Sequence, residues 1–215
     1  MNSALRLKEQ QMFVVTADQR RSRAGADLVP AGLSAVTSLA GPRLALAPER
    51  TAGDELQFAL ADPRALLDVA LHLTRLHAWS VGIGIGGVEE PLPADVRAAR
   101  GPAFVNAREG VDRAKKSPTR VAVVGGEEGA DAEALLRLMV ELRDRRTTEG
   151  WELHDLLAEG MTQREAAGRL GITEGAVSLR ARNAGLRTEE AALPVLERLL
   201  RRADDALATP GPTHG

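Results

Sequence analysis

The chain has 215 residues, 28 Lys and Arg against 30 Asp and Glu, 44% hydrophobic residues and no cysteine. That length suits one domain or two small ones, and the missing cysteine excludes a disulfide scaffold, a thiolate metal site and a cysteine nucleophile. A net charge of −2 argues against indiscriminate coating of nucleic acid, and three Phe, two Trp and no Tyr leave little for base stacking.

Residues 1–11, MNSALRLKEQQ, read as a flexible tail without the apolar stretch of a signal peptide. No apolar run reaches the ~18 residues of a membrane span, so a cytoplasmic protein with no membrane partner is expected. MFVVTA (12–17) reads as a buried strand, ending at Asp18 and the basic cluster Arg20, Arg21 and Arg23. A helix is expected from about Asp27 to Leu39, stopped by Gly41-Pro42. Leu44 and Leu46, then Leu56, Phe58 and Leu60, alternate about a Gly53-Asp54 turn, the pattern of a hairpin. Asp62-Pro63 starts a helix running to about His77.

WSVGIGIGGV (79–88) reads as a strand, 94–116 as helix interrupted at Gly101-Pro102, and VAVV (121–124) as a fifth strand. The order β-α-β-β-α-β, plus one further α-β pair, is the split arrangement of ferredoxin-like sheets, with the first and third strands adjacent at the centre. Beyond about residue 131 strand signals vanish, and Asp131 is expected to cap a helix carrying Leu135, Leu138, Met139 and Leu142. The expected class is α+β. A ferredoxin-like antiparallel sheet domain over 12–126 precedes an all-α domain over 131–207, and 208–215 forms a disordered tail.

MTQREAAGRLGITEGAVSLRARNAGL (161–186) is the most specific segment. Thr162 and Glu165 form a capping box, Gly171 can turn the chain in the left-handed conformation, and Thr173 caps a second helix stopped by Gly185. Leu170, Ile172, Val177, Ala181 and Ala184 supply an inner side, Ala167 allows a close crossing, and an upstream helix with Trp151, Leu153, Leu156 and Leu157 completes three helices. These residues resemble the helix-turn-helix of sigma-factor region 4 and response regulators, which implies a second helix lying in the major groove of double-stranded DNA. Its outward side chains would be Glu174, Ser178, Arg180, Arg182 and Asn183. The candidate DNA-contacting set is Ser178, Arg180, Arg182 and Asn183, with the caps Thr162 and Thr173. Residues 176–187 hold three arginines and no acid. The plainer reading is a helical hairpin used for packing or for contact with another protein.

In the expected sheet, Asp18 ends one central strand and Asp54 sits in the neighbouring turn, so both can converge at one edge. Paired carboxylates suit Mg²⁺ shared with phosphate oxygens, and Arg20 and Arg21 suit an anionic phosphate. VVTAD, TAGDELQ, SVGIGIGG and GPAFVNAREGV (101–111) resemble, in that order, motifs of nucleotide cyclases and GGDEF-type cyclases. With the helical segment, residues 12–187 resemble the bacterial SatD family. The resemblance implies a palm-like, cyclase-like fold, metal binding by Asp18 and Asp54, and nucleotide binding by Arg20, Arg21 and Asn106. The cyclase arginine expected four residues after Asn106 is replaced by Gly110, with Arg108 off register, so a degenerate site that binds without turnover is expected. A Mg²⁺-dependent nucleotide cyclase or nucleotidyl transferase is the alternative; no cofactor is certain, and Mg²⁺ with a nucleotide is the candidate. The plainer reading makes Asp18 and Asp54 ordinary turn carboxylates.

Gly82, Gly84 and Gly87 satisfy G-x-G-x-x-G but lie within a strand, where glycine marks close approach of a helix or ligand rather than a dinucleotide site. His72 and His77, five apart, build no metal site, and Lys115-Lys116 reads as a solvated helix end. Residues 188–207 carry Leu193, Leu196, Leu199 and Leu200, a stripe suited to a homodimer on paired half-sites. The function expected is a DNA-binding transcriptional regulator whose N-terminal domain senses a ligand or mediates dimerisation.

Overall fold

A computed structural model describes residues 9–22 and 25–208. Arg23 of the basic cluster and residues 1–8 and 209–215 of the expected tails lie outside them. Five strands, β1 (Glu9–Gln19), β2 (Leu44–Arg50), β3 (Glu55–Leu60), β4 (Trp79–Glu89) and β5 (Val121–Val124), form one sheet in the order β2-β3-β1-β4-β5. The first and third strands are adjacent and antiparallel, Phe13 opposite Leu60 and Asp18 opposite Glu55. β4 flanks β1 on the other side, also antiparallel, with Ser80 opposite Asp18. β5 runs parallel to β4, Val81 opposite Val121, so the sheet is mixed rather than antiparallel throughout. The reason is a helical crossover between these two strands. β1 begins at Glu9, because β4 is long enough to pair Glu89 with Glu9; residues 9–11 are strand, not tail.

Eight α-helices occur among the described residues: α1 (Val29–Ala40), α2 (Pro63–Arg75), α3 (Pro102–Ala114), α4 (Gly126–Asp144), α5 (Thr148–Ala158), α6 (Gln163–Leu170), α7 (Glu174–Asn183) and α8 (Leu186–Ala208). α2 starts as its sequence dictates, the Asp62 carboxylate accepting from Arg64 N and Ala65 N ahead of Pro63. α4 starts at Gly126, so Asp131 lies inside the helix and caps nothing. Gly126, at φ +73°, turns the chain out of β5, and Glu127 and Glu128 face the positive end of the helix dipole. The inward face of α4 carries Ala132, Leu136, Met139 and Val140, while Leu138 is 63% exposed.

Side chains alternate across β1, and both of its faces are covered. Met12 and Val14 pack with Ala103 and Ala107 of α3. On the opposite face, α1 meets Leu56 and Trp79, its Gly32 standing against both side chains. β4 expresses the same division in its composition: Val81, Ile83 and Ile85 point one way, and Gly82, Gly84 and Gly86 point towards α3. A Cβ on Gly84 would lie 2.1 Å from Ala103 O and 2.2 Å from Ala107 N. The strand glycines therefore seat a helix backbone.

The chain divides into two compact units, one up to Arg137 and resuming at Leu196, the other Leu138–Val195. In α8, Leu196 and Leu200 are fully buried and Leu193 and Leu199 half-buried. The stripe expected to pair two copies is thus covered largely by the chain itself. Among the described residues no helix is long and apolar enough to cross a membrane.

Asp204, in the same helix, has one carboxylate oxygen buried without a hydrogen-bond partner. Burial, and then the charge of Asp205, push its carboxyl up to about 6 from an ordinary 3.8. Between those values the folded chain binds more protons than the unfolded one, so this group's contribution is full below pH 3.8 and lost as pH rises through 6. Asp204→Asn is expected to stabilise the chain at pH 7.5 by about 1–2 kcal/mol and to change little at pH 3.5, measured by urea unfolding at both.

Candidate functional site

The second unit holds α5, α6 and α7, with the capped segment 161–186 carrying the last two. The Thr162 hydroxyl accepts from Glu165 N at 3.2 Å while Glu165 Oε2 accepts from Thr162 N at 2.7 Å, closing the capping box. The Thr162 backbone N–H, and then its hydroxyl, donating to the Glu165 carboxylate hold that carboxyl below the usual carboxylate range. Gly171 takes φ +66° at the end of α6, and the Thr173 hydroxyl accepts from Ala176 N at 3.2 Å at the start of α7. Leu153, Ala166, Ala167, Val177 and Ala181 form the core of the three helices, with Leu156, Leu157, Leu170 and Ile172 packed around it.

Trp151 departs from the expected core. It lies against the guanidinium groups of Arg143 and Arg146, 4.7 and 4.4 Å from the ring centroid. Both arginines pair with the Glu189 carboxylate, and Arg146 Nε also donates to Ala184 O at 3.0 Å. Burial would raise the Glu189 carboxyl, but Arg143 and Arg146 outweigh it and hold it low. His154, edge-on to Trp151, is pushed down by burial above all. This knot ties the end of α4, α5 and the start of α8 into one frame behind the motif.

The expected DNA-contacting residues separate on the surface of α7. Glu174, Arg182 and Asn183 are exposed, whereas Ser178 and Arg180 are half-buried on its flanks. Arg180 Nη1 lies 3.2 Å from Glu152 Oε2 of α5, so its head group is partly engaged. The Thr162 hydroxyl donates to Glu165 Oε2 at 2.8 Å, which makes Thr162 a cap rather than a free contact; the Thr173 hydroxyl accepts as a cap from Ala176 N. One residue on the outward face was not expected: Leu179, 50% exposed. Sequence reasoning takes leucine as an inward marker, and only its helical phase relative to Val177 and Ala181 could have exposed it.

In the first unit, Asp18, Arg20, Arg21 and Asp54 do come together. With Ser22, Ser80 and Lys115 they line an open cleft of about 340 Å³. Antiparallel pairing places the turn beside the end of β1, Gln19 N donating to Asp54 O at 2.9 Å. The carboxylates, however, are already engaged. Lys115 Nζ lies 2.8 Å from Asp18 Oδ2, so this lysine is an ion-pair partner and not merely a solvated helix end. Asp54 accepts from Ser22 Oγ. Glu55 is turned away, bonded to Thr51 and, at 2.6 Å, to Arg108 Nη1.

The two carboxylates thus reach the cleft with protein partners already on them. An ammonium holds Asp18, and among the described residues no group of three His, Cys, Asp or Glu side chains is placed to hold a metal. Asn106 does not join the cleft either. Its side-chain amide donates to Ile85 O at 2.8 Å, five strand positions from Ser80, or about 17 Å along β4. Its role is to tie α3 to the sheet.

No family model matches the chain, and no curated protein matches it. Among solved structures, a bacterial light-regulated adenylyl cyclase is a distant neighbour over 53% of this chain, at 16% identity and a TM-score of 0.35. The chain spans 43% of that cyclase's length. A regulator of polyketide synthase expression from Bifidobacterium adolescentis is similar over 93% of this chain and 82% of its own, at 14% identity and a TM-score of 0.30.

Proposed function

We propose that the chain is a DNA-binding regulator of the SatD kind, acting in the bacterial cytoplasm, in which α7 enters the major groove of duplex DNA. The observation that carries this reading is the pairing of two capped helices, α6 and α7, joined by a left-handed glycine, with a segment over 176–187 that is cationic and free of acid. Arg180, Arg182 and Arg187 fall within 176–187, where no acid occurs. Such a segment can neutralise phosphates while the rest of the chain stays near neutral. Arg182 and Asn183 are the exposed polar groups suited to guanine and adenine edges. The sheet unit serves ligand sensing or assembly.

The test is enrichment of bound duplexes from a random pool, followed by mobility-shift titration of the enriched sequence. Arg182→Ala with Asn183→Ala is expected to weaken binding roughly 10–100-fold, with thermal stability unchanged because both side chains are exposed. Failure to enrich any duplex, or equal binding by the double variant, overturns the reading.

A further inference from the structure

Val177 and Ala181 are buried and fix the inward direction of α7. At about 100° per residue, Leu179 then points almost directly away from the core. One turn before it stand Gly175 and Ala176, and one turn after it Arg182 and Asn183; all four are exposed. The outward face is therefore a leucine with two very small residues on one side and a cation and an amide on the other. Between this face and the start of α5 lies a shallow depression of about 260 Å³, lined by Thr147, Gly150, Ala176, Leu179 and Asn183 among others.

The fold itself accounts for neither Leu179 nor Gly175. Leu179 takes no part in the apolar core of the three helices. A Cβ on Gly175 would meet nothing nearer than Thr173 Oγ1 at 3.9 Å, so no neighbour in the chain requires a glycine there, and glycine weakens a helix relative to alanine. Both make sense where another surface comes close to this face. The nearby charge suits one such surface: Arg182 and Arg187, both exposed, complement phosphate, and no acid lies between residues 176 and 187. The thymine C5-methyl is the apolar group that base edges present in the major groove.

We infer that Leu179, with Ala176, contacts a thymine C5-methyl in the major groove, and that Gly175 lets α7 sit deep enough to reach it. This deepens the DNA-binding reading and rests on it. Leu179 is then a specificity-determining residue, favouring thymine at one position next to the bases read by Arg182 and Asn183.

The experiment uses the full chain and the enriched duplex, with each thymine replaced in turn by deoxyuridine, which removes only the methyl group. Wild type is expected to lose roughly 3–10-fold in affinity at one position or two adjacent ones. In Leu179→Ala that loss disappears, whereas in Arg182→Ala it persists, which separates a direct contact from general weakening. Gly175→Gln is expected to keep the thermal stability of wild type while binding at least about tenfold more weakly, because the added side chain meets open space in the chain but blocks the groove. If no duplex is enriched, the DNA-binding reading itself fails. If a duplex is enriched but thymine and deoxyuridine bind alike, or Leu179→Ala keeps the full deoxyuridine loss, this inference alone is overturned.

Discussion

Gly84→Ala is expected to destabilise the sheet unit by about 3 kcal/mol or more, measured as the midpoint shift in urea unfolding. The added Cβ would sit 2.1 Å from Ala103 O and 2.2 Å from Ala107 N, both backbone atoms of α3. No rotamer change relieves such a clash, so the helix as a whole has to move off the strand. Moving it also disturbs the bond from Asn106 to Ile85 O and the reach of Lys115 to Asp18. Gly82→Ala behaves alike, its Cβ falling 2.0 Å from Val111 N. Gly129→Ala in α4 is the control. Its Cβ meets neighbours at 3.8 Å and beyond, and alanine favours a helix interior, so a gain of about 0.5–1 kcal/mol is expected. A neutral Gly84→Ala would show that α3 does not lie on β4 as described.

The second large effect is expected at Glu189. Its carboxylate pairs with Arg143 and Arg146, whose side chains are 8% and 0% exposed. Glu189→Ala leaves two buried guanidinium groups without their anion, at a cost of about 3–5 kcal/mol. Stacking on Trp151 offsets only part of this, since a cation–π contact contributes about 0.5–2 kcal/mol. In a unit as small as Leu138–Val195, that loss approaches the whole of an ordinary stability. The readout is loss of α-helical circular dichroism and of protease resistance across this unit. Arg145→Ala serves as the comparison, since its side chain is 82% exposed and pairs only at 3.7 Å with Glu141; a change within about 0.5 kcal/mol is expected there.

What could be read along the chain was local. The capping box of Thr162 and Glu165, the left-handed Gly171 and the Thr173 cap all involve groups only a turn apart in the chain. Local hydrogen bonding settles such features before any tertiary contact forms. Asp62 before Pro63 belongs to the same class. The strand order followed from the alternation of short β-rich runs with helical ones, and β1 does lie beside β3. The glycines of β4 announced a close approach, but whether a helix or a ligand made it was a tertiary question.

The proposed sites show the converse. Asp18 and Asp54 do meet at one cleft, as adjacent strand ends require. That Lys115 neutralises Asp18 depends on α3 crossing the sheet and ending above β1, 97 positions away in the chain. Asn106 resembled a ligand-binding residue by its motif, yet its amide is used by a backbone carbonyl of β4. On α7, residue type pointed to Ser178 and Arg180 as outward contacts, but both are half-buried, Arg180 beside Glu152 of α5, while Leu179 stands clear.

Length, near-neutral charge and the absence of cysteine determined by themselves that stability must come from apolar packing and that any nucleic-acid contact must be a local patch. Sequence also determined the α+β element order and the caps, because propensity, alternation and short-range hydrogen bonds act over a few residues. Only the tertiary structure decided which charges are spent inside the fold. The arginines 143 and 146 and the carboxylates 18 and 189 are paired by chain segments that sequence separation hides, and a charge already paired at close range is not available to a ligand.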